Sequence, residues 1–416
     1  MPRRTQLYSR YLAPRLRESL ADTPAVLIHG PRQSGKTTLA RTIGEPRGYR
    51  YVAFDDEAIR RAAQNDPIGF VAGLPTRVIL DEVQRVPEIF TSLKTVIDRR
   101  RSAGRFILSG SANVLLIPKL ADSLAGRMRL LRLHPLAQCE LAGSRPRFLD
   151  ALFRGSFRTG LAEPLGTTLA ARIVGGGYPA ALARHDPARR RAWYRDLVET
   201  QIQRDVRDVT RVHSFDALPR LLALAAAHTA RLINISDLAA PFQISRQTIH
   251  DYVTVLERIF LLERLAPWYS NRLSRLVKTP KLHMGDTGLA CALLGIDAAS
   301  LHKERERLGP LLETFVLQEL RRQASWRPDP VDFFHYRDRD DFEVDIVLEF
   351  GSAAVAGIEV KAAATVVEAD FRGLRKLREA AGQRFRSGVV LYDGTASVSF
   401  GDGLFAVPIR HVWETQ

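Results

Sequence analysis

Cysteine is nearly absent: the 416-residue chain has only Cys139 and Cys291. That excludes a disulfide framework and a cysteine-based metal site, and it points to a reducing, cytoplasmic setting. Long apolar runs are missing as well. None reaches the roughly 18 to 20 residues needed to span a bilayer, so no membrane partner is expected. The first eight residues are charged, but no apolar stretch of a secretory leader follows them. Acidic side chains are outnumbered, with 46 Asp and Glu against 61 Lys and Arg, a formal charge of +15. The excess suits a polyanionic partner, nucleic acid first. It equally suits the Ala- and Arg-rich, Lys-poor composition of a GC-rich coding sequence. The rest is ordinary globular composition, 45% hydrophobic and 26% charged. A chain this long is expected to divide into two or three domains.

Residues 30 to 37 read Gly-Pro-Arg-Gln-Ser-Gly-Lys-Thr. This fits the phosphate-loop pattern, and its flanks fit too. Ala25–His29 is a short apolar run, read as a buried parallel strand, and Thr38–Ile43 reads as the start of a helix. A strand, a glycine loop and a helix N-terminus aim backbone N–H groups and the helix dipole at one point. Gly30 and Gly35 let the chain curl around phosphate oxygens. The loop Gly30, Pro31, Arg32, Gln33, Ser34, Gly35, Lys36, Thr37 and Thr38 is therefore the candidate ATP cradle. Lys36 would reach the β- and γ-phosphates, and the Thr37 hydroxyl would sit on Mg²⁺.

About 45 residues on, Arg77–Glu82 reads as an apolar strand ending in two carboxylates, a Walker B pattern. Asp81 would hold Mg²⁺ through water, and Glu82 would orient or deprotonate the attacking water. Two acids at a strand's C-terminal edge stand where α/β ligands bind. A further strand, Arg105–Ser111, ends in hydroxyls that suit a γ-phosphate sensor, Ser109 first and Ser111 second. Beyond the helix-like stretch 118–123, Leu124-Ala-Gly-Arg127 supplies a candidate arginine finger in Arg127, with Arg129 and Arg132 as rivals. A finger of this kind accelerates phosphoryl transfer by about 10³ to 10⁵, acting in cis or on a neighbouring subunit.

A Pro-, Gly- and Arg-rich stretch at 145–165 marks a boundary. Apolar spacing of three and four predicts a helix over 194–206. Residues 231–270 have the rhythm of a winged helix-turn-helix. A helix begins near Asn234-Ile-Ser236, with Ser236 as cap, and a recognition helix runs over Ser245–Leu256 with Ser245 as cap. Arg246, Gln247 and His250, at its start, are the candidate DNA contacts. In the last third, Gly309–Leu320 is an amphipathic helix bearing Glu313. Phe333–Tyr336, Phe342–Leu348 and Ala356–Lys361 read as strands. Alternation puts Glu359 and Lys361 on one face, with Asp345 on the adjacent strand beside them.

These segments, with Gly176-Gly-Tyr-Pro179 and Gln203-Arg-Asp-Val206, resemble one family across nearly the whole chain. It is the group of bacterial and archaeal AAA-type P-loop ATPases whose C-terminal half is a domain of unknown function. The tail is similar to the PD-(D/E)xK nuclease core, with Glu313, Asp345, Glu359 and Lys361 at the matching positions. The resemblance implies ATP hydrolysis with Mg²⁺ and a second Mg²⁺ or Mn²⁺ at the tail, where the lysine would position or activate water. The expected fold is α/β: an AAA-like P-loop NTPase parallel sheet (residues 1–150), a helical linker or lid (151–230), a winged helix (231–298) and a restriction-endonuclease-like α/β domain (299–416). The expected function is Mg²⁺-dependent ATP binding and hydrolysis acting on or with DNA, in a chain able to form homo-oligomers. The rival readings are an ATP-regulated, metal-dependent nuclease and a nucleotide-gated, non-enzymatic regulator.

Overall fold

Five strands between residues 25 and 132 build a sheet covered on both faces. The computed structural model describes residues 7–111, 126–209 (without the side chains of 205 and 207–209), 216–242, 244–271, 275 and 279–414. The stretch expected as helical at 118–123, and Leu124 and Ala125 of the following motif, lie outside the described residues. Helix α1 (Ala13–Asp22) leads into β1 (Ala25–His29), and α2 (Lys36–Gly44) follows the loop. The strands β2 (Arg50–Ala53), β3 (Val78–Asp81), β4 (Phe106–Gly110) and β5 (Met128–Arg132) complete a parallel sheet in the order β2-β3-β4-β1-β5. Period-2 alternation explains why the central strands read as unbroken apolar runs. Val26 and Ile28 pack with Ile79 and Ile107 against Leu16 of α1 and Leu39 and Ile43 of α2. Ala25 and Leu27 pack with Leu80 and Leu108 against Phe90, Leu93 and Ile97 of α3 (Ile89–Arg99) on the other face. Because β4 lies between β1 and β3, the phosphate loop, the hydroxyl-tipped strand and the acidic strand end side by side.

A second sheet holds ten strands, β6 (Gly160–Leu161), β7 (Arg231–Leu232), β8 (Leu262–Pro267), β9 (Lys281–Met284), β10 (Val331–Arg337), β11 (Glu343–Phe350), β12 (Ala354–Lys361), β13 (Phe385–Tyr392), β14 (Ala396–Ser399) and β15 (Leu404–Pro408). Their order is β6-β14-β15-β13-β12-β11-β10-β8-β9-β7. The long helix α4 (Pro187–Val209) precedes a compact succession of α5 (Ala217–Ala227), β7, α6 (Ile235–Ala239), α7 (Arg246–Arg258) and the hairpin β8–β9. Ser245 caps α7 as expected, accepting from Thr248 N at 3.1 Å. The cap of α6 is Asn234 rather than Ser236: the Asn234 side chain accepts from Ser236 N at 3.0 Å. An Asx side chain two residues upstream reaches the first free N–H groups better than a serine already inside the helix. The hairpin joins the tail through parallel pairing of Phe334 with Ala266 and His335 with Pro267. One apolar core extends from Ala137 to Trp413, on both sides of residues 150, 230 and 298.

Through this core run α8 (Thr287–Leu294) and α9 (Arg305–Ser325), with α10 (Arg372–Ala381) on the far side of the sheet. Residues 311–320 of α9 are all buried, polar ones included, and buried polar groups must find partners. Arg322 donates to Leu136 O and Glu319 Oε1, both at 2.8 Å, and to Asp286 Oδ2 at 3.2 Å. Asp286 also accepts from Gly177 N at 2.8 Å, and Leu136 N donates to Gly177 O at 2.7 Å. This seam joins the end of the first sheet, the Gly-Gly-Tyr-Pro segment and α9. No helix among the described residues is long and apolar enough to cross a membrane.

Candidate nucleotide-binding site

The loop after β1 is shaped by residues in the left-handed region: Gly30 (φ 152°), Gln33 (62°) and Gly35 (97°). A Cβ on Gly30 would lie 2.1 Å from Leu133 O, so only glycine fits there. Gln33 and Glu82 (φ 57°) are two of six described non-glycine residues with positive φ. Strain of that kind, about 1–3 kcal/mol per residue, collects at functional sites. Arg10 braces the loop from below, donating to Ser34 O and His134 O, both at 2.6 Å, with Nε 3.1 Å from Glu140 Oε1. Lys36 Nζ donates to Gly30 O at 3.0 Å and Pro31 O at 2.8 Å, so its ammonium lies over the loop it belongs to.

Thr37, at the start of α2, donates from Oγ1 to Asp81 Oδ2 at 2.8 Å. Tyr51 OH donates to the same oxygen at 2.7 Å, and Ser109 Oγ donates to Asp81 Oδ1. Three hydroxyls thus fix one nearly buried carboxylate. Glu82 is set apart from it. Its Oε2 accepts from Ser111 Oγ at 2.9 Å and from Gln84 Nε2. Burial pushes the Glu82 carboxyl up, but Lys36, Gln84, Arg32 and Ser111 outweigh that and hold it below the usual carboxylate range. A carboxylate kept ionised beside the loop can accept a proton or a hydrogen bond from water. The hydroxyl of Thr37, the side chain of Asp81 and a loop curled by Gly30 and Gly35 at positive φ together suit a phosphate with its divalent ion.

A cavity of 750 Å³ opens over the loop, within the size range of small-molecule sites. Arg32, Lys36, Thr37 and Glu82 line it together with Tyr8 and, from the segment after Gly176-Gly-Tyr, Pro179, Leu182 and His185. At the base of the loop, His29 packs on Phe260, ring centroids 5.9 Å apart. Burial, then Arg132 and Lys36, bring the His29 pKa down to about 3, so the ring is neutral. Arg127 stands elsewhere. It precedes β5, whose Met128 pairs with Ala25 at the start of β1, so it lies at the sheet edge opposite the loop. Its guanidinium pairs with Asp98 at 2.6 and 3.0 Å. Arg132 ends the same strand and is bound to Glu263 of β8.

Two of the four tail residues, Glu313 and Asp345, meet at a further one, Lys281, whereas Glu359 pairs with Lys361. Asp345 Oδ2 accepts from Val360 N at 2.9 Å, and Lys361 Nζ lies 2.9 Å from Glu359 Oε1. Lys281 of β9 sits between Glu313, Glu343 and Asp345. Carboxyls outnumber ammonium groups here. Burial, then the Asp345 charge, push Glu313 well above the usual range and Glu359 up to about 8. Despite burial, Asp345, Glu313 and Glu343 hold Lys281 protonated. On α7, Arg246, Gln247 and His250 are all exposed. Gln247 Nε2 donates to Asp251 Oδ1 at 2.9 Å, and His250 Nδ1 is 3.7 Å from the same acid.

The sequence pattern points to the loop, the acid pair and the tail quartet as candidates. It does not single out Arg10, Tyr51, Gln84 and Lys281, which sit in no motif, and it gives Pro179 no place in the cavity wall.

The strand order, the loop and the paired acids define a P-loop ATPase-type domain. Residues 22–142 match the family described as an AAA domain. Residues 166–300 and 308–412 match two families described as domains of unknown function, DUF8612 and DUF4143. The chain is 29% identical over 409 residues to two proteins described as uncharacterized, Rv2008c of Mycobacterium tuberculosis and Mb2031c of Mycobacterium bovis. The matches cover 98% of this chain and 85% of each relative. Among solved structures it is similar to the Walker-type ATPase PABY2304 of Pyrococcus abyssi, at 17% identity over 70% of this chain and 97% of that one, TM-score 0.45. It is also similar to the RuvB Holliday junction branch migration motor of Thermotoga maritima, at 17% identity over 63% and 92% of the two chains, TM-score 0.29.

Proposed function

We propose that this chain binds and hydrolyses ATP in the cytoplasm and couples the turnover to nucleic acid, DNA first. The observation that carries the reading is that Thr37 and Glu82 line one cavity, with Asp81 fixed behind Thr37 and Glu82 ionised. Thr37 and Asp81 would hold Mg²⁺, which offsets charge on the β- and γ-phosphates when bound. The N–H groups of the loop at the start of α2 would take the phosphates, and Lys36 would exchange its two carbonyl partners for phosphate oxygens. Glu82 would orient or deprotonate the attacking water. Ser109 steadies Asp81, whereas Ser111 touches Glu82, which favours Ser111 as the sensor. Arg127, at the far sheet edge, would serve as a finger only across subunits of a homo-oligomer. The test is phosphate release by wild type and Glu82→Gln. Loss of general-base chemistry should lower the rate by about 10²–10⁴-fold with ATP affinity kept. Equal rates would overturn the assignment.

The helix–strand–helix–helix–hairpin succession at 217–284 supports a winged helix, with Arg246, Gln247 and His250 as its DNA contacts once Asp251 releases two of them. The succession α9–β10–β11–β12–α10–β13, with Glu313, Asp345, Glu359 and Lys361 at its centre, supports a nuclease-like fold over 299–416. The division of labour follows: residues 1–150 turn over ATP, 151–230 close over it, 231–298 meet DNA, and 299–416 form the nuclease-like end.

A further inference from the structure

Lys281 enters the tail cluster from β9, outside every motif. Its ammonium lies 2.9 Å from Glu313 Oε1, 2.7 Å from Glu343 Oε1 and 3.4 Å from Asp345 Oδ1. Glu313, Asp345 and Glu359 are the acids among which a nuclease of this resemblance would bind its divalent ion, and Lys281 touches the first two of them. Such an ion takes carboxylate oxygens at about 2.0–2.6 Å. An ion taking the oxygens that Lys281 already holds would crowd its ammonium, and two cations close together in a buried site repel strongly. These carboxylates accommodate one cation or the other.

The ammonium is not placed to drift away. Lys281 is 2% exposed, and its strand is paired on both sides, Lys281 facing Leu232 of β7 and Leu265 of β8. Lys361, the lysine of the motif, is held separately, 2.9 Å from Glu359 and 3.9 Å from Asp370. Among the described residues, no group of three or more His, Cys, Asp or Glu side chains is arranged to hold a metal ion.

We propose that Lys281 is the built-in cation of this cluster, occupying the divalent-ion position, so that the tail does not carry out metal-dependent cleavage. The proposal rests on the nuclease-like reading of the tail and is independent of ATP hydrolysis. It explains why a strand of the hairpin, not of the tail itself, supplies the central charge: the cluster is satisfied only when hairpin and tail are assembled together.

The experiment is a Mn²⁺ titration of the nucleotide-free full chain, followed by electron paramagnetic resonance, with plasmid nicking in Mg²⁺ or Mn²⁺ alongside. Wild type should show no Mn²⁺ site that depends on Asp345, and no nicking. Lys281→Ala should gain one Mn²⁺ site, lost again in Lys281→Ala with Asp345→Asn. Mn²⁺ should raise the melting temperature of the single variant but not of wild type. If Lys281→Ala does not fold, Lys281→Met preserves the volume and is held to the same outcomes. A wild-type Mn²⁺ site or nicking activity abolished by Asp345→Asn would overturn the proposal and leave the nuclease-like reading standing. Failure of every folded Lys281 variant to gain a site would overturn both.

Discussion

Replacing Arg322 with methionine should destabilise the protein strongly and also loosen its grip on ATP, although Arg322 is not among the residues lining the nucleotide cavity. The guanidinium compensates Asp286 and Glu319, neither of which is accessible to solvent, and it satisfies Leu136 O. Methionine fills much of the volume and none of the charge. Removing one partner of a buried ion pair costs about 3–5 kcal/mol, because the other charge stays buried without compensation. At roughly 2–4 °C per kcal/mol for a large cooperative unit, the melting temperature should fall on the order of 10 °C. The same seam fixes Gly177, through Asp286 and Leu136, two residues before the cavity wall begins at Pro179. Affinity for a fluorescent ATP analogue should therefore fall as well, with the P-loop unaltered. Adding Asp286→Asn and Glu319→Gln to Arg322→Met should recover a large share of the lost stability, since no buried charge is then left alone. A drop of less than about 2 °C in the single variant, or no recovery in the triple, would refute the argument.

Gly30→Ala should weaken nucleotide binding by about 100-fold. Its Cβ would lie 2.1 Å from Leu133 O, and displacing the loop by about 1 Å is worth about 100-fold. Equilibrium titration with the same analogue checks this, and a change under tenfold contradicts it. Glu257, which burial raises to about 7 against the pull of Arg264, should give a pH-dependent stability. Its folded pKa lies above its unfolded value, so its contribution is fully present below about pH 4.5 and lost as pH rises through about 7. Relative to Glu257→Gln, wild type should lose up to about 3 kcal/mol between about pH 5 and about pH 7.5 in urea unfolding, and a pH-independent difference would sink the assignment.

The parts legible in the sequence are those whose causes are local. Ala25–His29 is a strand with the bounds its apolar run suggests, since neighbouring helices cover both faces. The loop and the acid pair could be located because glycines, a lysine and two carboxylates stand at spacings that a turn and a strand end require. What escaped depends on contacts far apart in the chain. Lys281 looks like any strand lysine until β9 is set against α9 and β11, so that residues 32 and 64 positions away surround it. Tyr51 is one more aromatic of a half-covered strand until β2 pairs with β3 and its hydroxyl meets Asp81. The cap of α6 was misplaced because Asn234 and Ser236 both suit a helix start, and only backbone geometry separates them.

The pairing of β8 with β10 makes the hairpin and the tail one continuous fabric. A recombination event that exchanged either piece would expose the ladder of the other and invite aggregation along the cut edge. The two are therefore bound to be inherited together. On the proposed reading of α7 as the DNA-facing helix, variation in recognition should accumulate on its outer face and in the loops, not through the trading of whole modules.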